Sequence, residues 1–164
     1  MNPLIIADDN PRDRAYLAEV LAEYSPILTT NLKEAIAACG DHSEPWLVTD
    51  IQMPGGNGLE LARQLWEQHP SARILFWSQH SDELYVRELA KFIPAETVYG
   101  YVLKNNPADT ILRAAQAVFE DCQCWIDPLI RRVQARSQRA SDALSDAQYD
   151  VLIDIALEIG RAHV

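Results

Sequence analysis

The chain has 164 residues, 48% of them hydrophobic, and a formal net charge of −10. That apolar content excludes a disordered chain, and the length suits one domain with its own core and a little over. So acidic a chain is a poor bare binder of DNA or of a membrane surface, because phosphate contacts need clustered Lys and Arg.

The opening stretch MNPLIIADDN has no basic region and only a short apolar run, so it does not read as a signal peptide. No segment approaches the roughly 20 apolar residues of a membrane span. A cytoplasmic chain with no membrane partner is expected. Cys39, Cys122 and Cys124 fit a reducing compartment. Cys122-Gln-Cys124 offers half of a metal site, but no other ligands accompany it, so ordinary thiols are expected.

Five short apolar runs follow in chain order: LII (4–6), PIL (26–28), WLVT (46–49), ILFW (74–77) and YVL (101–103). None alternates strictly, as suits strands buried on both faces. Helical spacing lies between them. Leu17, Val20, Leu21 and Tyr24 share one face, as do Leu32, Ala35, Ile36 and Cys39. Leu61, Ala62, Leu65 and Trp66 make a third face, Val86, Leu89, Ala90 and Ile93 a fourth, and Ile111, Ala114, Ala115 and Val118 a fifth. Asn10-Pro11 and Asn106-Pro107 read as an N-cap followed by proline at the first helical position. Asn31 with Glu34, and Asn57 with Glu60, stand at capping-box spacing. The predicted fold class is α/β, a (βα)5 doubly wound, five-stranded parallel sheet of the flavodoxin-like kind.

After Phe119 the pattern loosens. Residues 123–143 read as a polar linker, helical around 129–139, with arginines at 131, 132, 136 and 139 on a solvated face. Ser145 and Gln148 then form a capping box, and Val151, Leu152, Ile155 and Ala156 supply an apolar face. One short helix cannot bury that face alone. Partners outside the chain are expected for it.

The polar residues gather at the strand ends. Asp8 and Asp9 follow the first strand, Asp50 ends the third, Ser78 follows the fourth and Lys104 the fifth. In an open α/β sheet that edge is where ligands bind. Three carboxylates in one crevice stay ionised only with a cation among them, and an all-oxygen acidic site suits Mg²⁺. A carboxylate beside Mg²⁺ is a competent nucleophile toward phosphorus, and Lys104 and Ser78 could hold phosphoryl oxygens. Taken singly, each has a plainer reading as turn or surface polarity. The set in this order and register points to phosphoryl chemistry.

This set resembles a response-regulator receiver domain. The residues that carry the likeness are Asp8-Asp9, the block DIQMPGGNGLEL from Asp50 to Leu61, Ser78, and GYVLK ending in Lys104. The resemblance spans residues 4 to about 122 and places the receiver domain at 1–122. It implies Asp50 as phosphoacceptor and Mg²⁺ held by Asp9, by Asp8 largely through water, by Asp50 and by the backbone carbonyl of Gln52. It implies Ser78 as the switch hydroxyl, Lys104 as a partner of a phosphate oxygen and Tyr101 as the switch aromatic. Gln52 and His80 match positions that tune dephosphorylation. A plain strand aromatic and a solvated loop histidine are the competing readings of Tyr101 and His80. The stretch KFIPAETVYGY (91–101) departs from the family's compact A-G-A-x-G-Y link.

SQHSDELYVRELA (78–90) resembles the branch that carries a LuxR-type helix-turn-helix. LSDAQYDVLIDIAL (144–157) resembles the first helix of that output domain, with Gln148-Tyr149 in place of its usual Arg-Glu. The tail EIGRAHV (158–164) reads as one frame of a common sequencing adapter, so a non-native end and a longer native chain are expected. The expected function is a two-component response regulator. A sensor histidine kinase would phosphorylate Asp50, and a homodimer and DNA binding through the absent output domain would follow. The alternative is a stand-alone receiver serving as phosphate shuttle or adaptor. A hydrolase using Asp50 fits less well, because the acid-base carboxylate it needs two residues on is Gln52. Catalysis is expected only of the domain's own phosphorylation and dephosphorylation.

Overall fold

The structure, a computed structural model, describes residues 2–53, 57–79, 83–139 and 151–157. Strands and helices alternate: β1 (Leu4–Ala7), α1 (Pro11–Val20), β2 (Ile27–Thr29), α2 (Leu32–Cys39), β3 (Trp46–Thr49), α3 (Gly58–Gln68), β4 (Arg73–Ser78), α4 (Glu83–Phe92), β5 (Tyr99–Leu103), α5 (Ala108–Ala115), β6 (Trp125–Ile126) and α6 (Pro128–Arg139). Residues 151–157 form a further helical stretch. The five predicted strands all form, and the sheet gains a sixth. Its order is β2-β1-β3-β4-β5-β6, with every neighbouring pair parallel. The order reverses between β1 and β3, which opens a crevice at their carboxyl ends.

Alternate strand residues feed two cores. Ile5, Ala7, Leu47, Ile74, Phe76, Tyr101 and Leu103 face α2, α3 and α4. Leu4, Ile6, Val48, Leu75, Trp77 and Val102 face α1 and α5. Burial on both faces explains the unbroken apolar runs in the sequence.

Local signals set most helix starts. The Asn10 side chain accepts from the backbone N–H groups of Arg12 and Asp13, with Pro11 just inside α1. Asn31 and Asn57 accept from the N–H of Glu34 and Glu60. Asn106 does not cap α5. Pro107 holds the cap position, and the Asn106 amide donates instead to the Leu103 carbonyl and to Asp127 Oδ2 at 2.8 Å. A carboxylate attracts the amide more strongly than an N-cap role would.

The expected linker contains regular structure. Trp125 and Ile126 pair with Gly100 and Tyr101, and Asp127 then caps α6 by accepting from Leu129 N–H. Ile130 and Val133 of α6 are buried in the α2–α4 core, while Arg131, Arg132 and Arg136 are exposed, as their solvated-face reading predicts. Residues 140–143 lie outside the described residues.

The helix of residues 151–157 does find partners in this chain, against expectation, and with another face. Ile153 and Leu157 are buried in the core that α3 and α4 share, and Ala156 of the predicted face packs against it, whereas Val151, Leu152 and Ile155 are exposed. Ile153 and Leu157 stand four residues apart and so meet the α3–α4 surface together. The start of that helix, 144–150, and the tail 158–164 lie outside the described residues.

Candidate functional site

The strand register brings the predicted groups to one edge. Ala7, the last residue of β1, pairs with both Thr29 and Thr49, so Asp8 and Asp50 leave the sheet side by side. Ser78 pairs with Leu103 at the other end of the crevice, and the Lys104 N–H donates to the Ser78 carbonyl at 2.9 Å, extending the β4–β5 ladder by one step.

The Lys104 ammonium joins the site. Its Nζ donates to Asp13 Oδ2 at 2.7 Å, Asp50 Oδ2 at 3.0 Å and Asp8 Oδ2 at 3.4 Å. It also stands 4.7 Å from the centre of the Trp77 ring, which stacks on Tyr16 from its own side of the sheet. The other carboxylate oxygens are fixed by backbone. Asp8 Oδ1 accepts from Asn10 N–H at 2.9 Å, and Asp50 Oδ1 accepts from Ile51 N–H at 2.7 Å. Asp8 is fully buried, and Asp9 and Asp50 are half-buried.

One carboxylate oxygen from each of Asp8, Asp9 and Asp50 lies within 4.8 Å of the other two. These three can hold a metal ion. With Asp13 they set four carboxylates against one ammonium. Burial pushes the Asp8 carboxyl up to about 6; Lys104 pulls it back and Asp50 adds to the rise. Burial also raises Asp9, again with Asp50 adding to it. Burial works against the Lys104 charge, but Asp50 and Asp8 outweigh it and hold the ammonium above the ordinary lysine range. The site is therefore short of positive charge, and its donors are all oxygen. That fits a hard divalent cation.

Asp9, Asp13, Asp50, Gln52, Gln79 and Lys104 line an open crevice of about 430 Å³, with Asn10 and Pro11 at its α1 side. Ser78 sits behind it, fully buried at the end of β4. Tyr101 is also buried, its ring 5.8 Å from Phe76 and inside the sheet–helix core. The Gln52 amide donates to the Tyr85 hydroxyl at 3.0 Å, tying the loop after β3 to α4. His80 lies outside the described residues.

Gly58 explains part of the block that follows Asp50. A Cβ there would clash with the Asp50 carbonyl oxygen, because α3 starts against the backbone of the site. Sequence reasoning missed Asp13. An acid in the first turn of a helix reads as a partner of the helix dipole, and nothing local says that it reaches a lysine 91 residues away.

Residues 4–116 match the response regulator receiver domain family. Among relatives, the chain is 29% identical over 119 residues to the transcriptional regulatory protein DegU of Brevibacillus brevis, which covers 70% of this chain and 49% of DegU. It is 31% identical over 122 residues to the transcriptional regulatory protein LnrK of Bacillus subtilis (strain 168), covering 72% of this chain and 54% of LnrK. The chain thus spans about half the length of these relatives. Among solved structures, a two-component response regulator of the LuxR family from Aurantimonas sp. SI85-9A1 superposes with a TM-score of 0.66 at 21% identity, covering 83% of this chain and 96% of that one. Among the described residues no helix is long and apolar enough to cross a membrane.

Proposed function

The chain belongs to the response regulator receiver domain family, and on that premise we propose that Asp50 accepts a phosphoryl group from the phosphohistidine of a sensor kinase in a Mg²⁺-dependent reaction. One observation carries this reading. The Asp50 carboxylate lies between a cluster of acids fit for a divalent cation and a lysine ammonium 3.0 Å away. An acceptor between two cationic partners is what a phosphoryl group entering the crevice requires.

Asp8, Asp9, Asp50 and the backbone carbonyl of Gln52 would hold Mg²⁺, which when bound neutralises phosphoryl oxygens. The chain's own residues do the rest. Asp50 supplies a carboxylate oxygen, and a new O–P bond forms as the P–N bond to the imidazole breaks. The imidazole leaves with the bonding pair and takes a proton. Ile51 N–H fixes Asp50 Oδ1 at 2.7 Å, so the other oxygen is aimed by Lys104. Lys104 then passes one of its donors to a phosphoryl oxygen. Ser78, at the end of β4, supplies the hydroxyl that follows the phosphoryl group, and Tyr101 fills the space behind it. The Gln52–Tyr85 hydrogen bond carries the change toward α4. Gln52 and His80 would tune dephosphorylation, and no catalysis beyond this self-chemistry is assigned.

The output we assign is transcription control. DegU and LnrK are named transcriptional regulatory proteins and are about twice as long as the part matched here. Residues 1–122 then serve as receiver, 123–143 as connector and 144–157 as the first helix of a LuxR-type output domain. DNA binding belongs to that domain, dimerisation follows phosphorylation, and the protein works in the cytoplasm. The adaptor reading keeps one observation of its own: Ile153 and Leu157 seat residues 151–157 on the receiver.

The test is phosphorylation by acetyl phosphate with and without Mg²⁺, read by intact mass. One added phosphoryl group is expected, removable by hydroxylamine as an acyl phosphate is, and lost in Asp50→Asn. An adduct that persists in Asp50→Asn, or none in the unaltered chain, overturns the proposal.

A further inference from the structure

Lys104 has more carboxylate partners than a phosphoryl-binding lysine needs. Its shortest contact is to Asp13, at 2.7 Å, against 3.0 Å to Asp50 and 3.4 Å to Asp8. Asp13 does not come from a strand end. It stands in the first turn of α1, where Pro11 and the Asn10 cap fix the backbone and the Asp13 N–H donates to Asn10 Oδ1 at 3.2 Å. An acid placed there for the helix dipole alone would point to water. This one reaches across the crevice to the lysine, and its side chain is only 26% exposed.

An ammonium has three hydrogens. In the resting site all three have a carboxylate to point at, and the Trp77 ring stands 4.7 Å away. An incoming phosphoryl group must take one of those donors, and it must do so beside the Asp13 charge. A divalent cation meets the opposite situation, since Asp13 adds to the negative field that draws it in.

Building on the receiver reading above, we propose that Asp13 is a positioning residue that tethers Lys104 and sets the balance between cation and phosphoryl affinity in the crevice. It acts through Lys104 and through its charge, without itself touching the transferred group. Its carboxylate favours the resting, cation-loaded site and disfavours the phosphorylated one. The equilibrium between the two states thus carries a built-in bias toward the resting state.

The test uses Asp13→Asn, which keeps the volume and the acceptor oxygen but removes the charge. Mg²⁺ is titrated into the full chain by calorimetry. Beryllofluoride, as phosphoryl mimic, is titrated at saturating Mg²⁺ and followed by tryptophan fluorescence, with Trp77 beside Lys104 as reporter. Mg²⁺ binding is expected to weaken and beryllofluoride binding to tighten, each by roughly threefold to tenfold for one charge in a half-solvated site. Asp13→Glu is expected to restore both toward the original values. A structural role alone would not move the two constants in opposite directions, so shifts of the same sign, or none, overturn the proposal. Should the amide disturb the fold, Asp13→Ser is the second variant, with the same opposed shifts expected. If the unaltered chain binds neither Mg²⁺ nor beryllofluoride, the receiver reading itself fails and takes this inference with it.

Discussion

Two regions flank β5 and are held together by opposite forces. At its carboxyl end, Lys104 meets Asp8, Asp13 and Asp50, and the contacts it makes with them are between charges. On its α4 side, Tyr85, Val86 and Leu89 pack with Ile130 and Val133 of α6 and with Ile153 and Leu157, and the contacts are apolar. The first region is short of positive charge and stores repulsion that a cation or a proton can relieve. The second is dominated by apolar packing, and the one titratable side chain among these residues, the buried Tyr85 phenol, accepts from the Gln52 amide. The difference teaches that ligand and pH should act on the first region while packing changes should act on the second.

The largest expected effect tests the charged region. Lys104→Met keeps the apolar stem and removes the ammonium, leaving the buried Asp8 and its neighbours without their cation. Breaking such a buried pair from one side costs about 4 kcal/mol. Urea denaturation at pH 7.5 without metal should show that loss, and added Mg²⁺ should recover a large part of it. If Mg²⁺ recovers none, the crevice is not held by charge balance.

Next comes the apolar region. Ile130 is fully buried, so Ile130→Ala should cost about 3 kcal/mol through lost transfer energy and the cavity left behind. The loss should be the same with and without Mg²⁺ and at pH 6 and pH 8. Recovery by Mg²⁺ would show that the two regions are not separate in the way proposed.

Asp8→Asn is expected to stabilise. In the fold the Asp8 carboxyl is raised from 3.8 to about 6. A raised value means that its contribution to stability is fully present below the unfolded value and is lost as pH rises through about 6. Above pH 7 the folded chain therefore carries an unfavourable ionised group. The amide removes that burden, and metal-free Asp8→Asn should gain about 2 kcal/mol over the unaltered chain at pH 7.5. The gain should vanish near pH 4. An equal gain at both pH values would mean that something other than ionisation is at work.

The same division explains what was legible in the sequence. Strands β1, β3, β4 and β5 run into Asp8, Asp50, Ser78 and Lys104, and both the apolar runs and the polar residues at their ends are local signals. The Asn10, Asn31 and Asn57 caps are local too. Gly58 reads as a turn residue, but its reason is the Asp50 carbonyl against which α3 begins. The α4 side was less legible, because its partners are distant in sequence. A strand of two residues, Trp125 and Ile126, has no period to detect. The face of residues 151–157 was misjudged because Val151, Leu152, Ile153, Ile155 and Leu157 offer two apolar stripes, and only the α3–α4 surface chooses between them. Asp13 was missed and Asn106 misread for the same cause. Each carries a helix-end signal, and each is claimed by a charged partner far along the chain.

Asn106 is also where the two regions touch, and the smallest expected effect lies there. Two residues after Lys104, its amide donates to Asp127 Oδ2 at 2.8 Å, while Asp127 Oδ1 accepts from Leu129 N–H at the start of α6. The Asp127 N–H donates in turn to the Tyr101 carbonyl at 3.0 Å. The loop that holds Lys104 is thus pinned to the first turn of α6. Asn106→Ala removes two hydrogen bonds, one to the Leu103 carbonyl within the loop and one to the Asp127 carboxylate, which keeps its backbone partner, and the loss of the one that reaches α6 should cost about 1 kcal/mol. Because the apolar contacts of Ile130 and Val133 remain, that cost should appear as local opening. Hydrogen exchange of the α6 amides should quicken about fivefold while the central strands stay unchanged. If α6 and the strands quicken together, α6 belongs to the cooperative core and cannot answer to the crevice separately. If α6 alone quickens, the β5–α5 loop already holds a handle on it, and a phosphoryl group that draws Lys104 away would pull on the same handle.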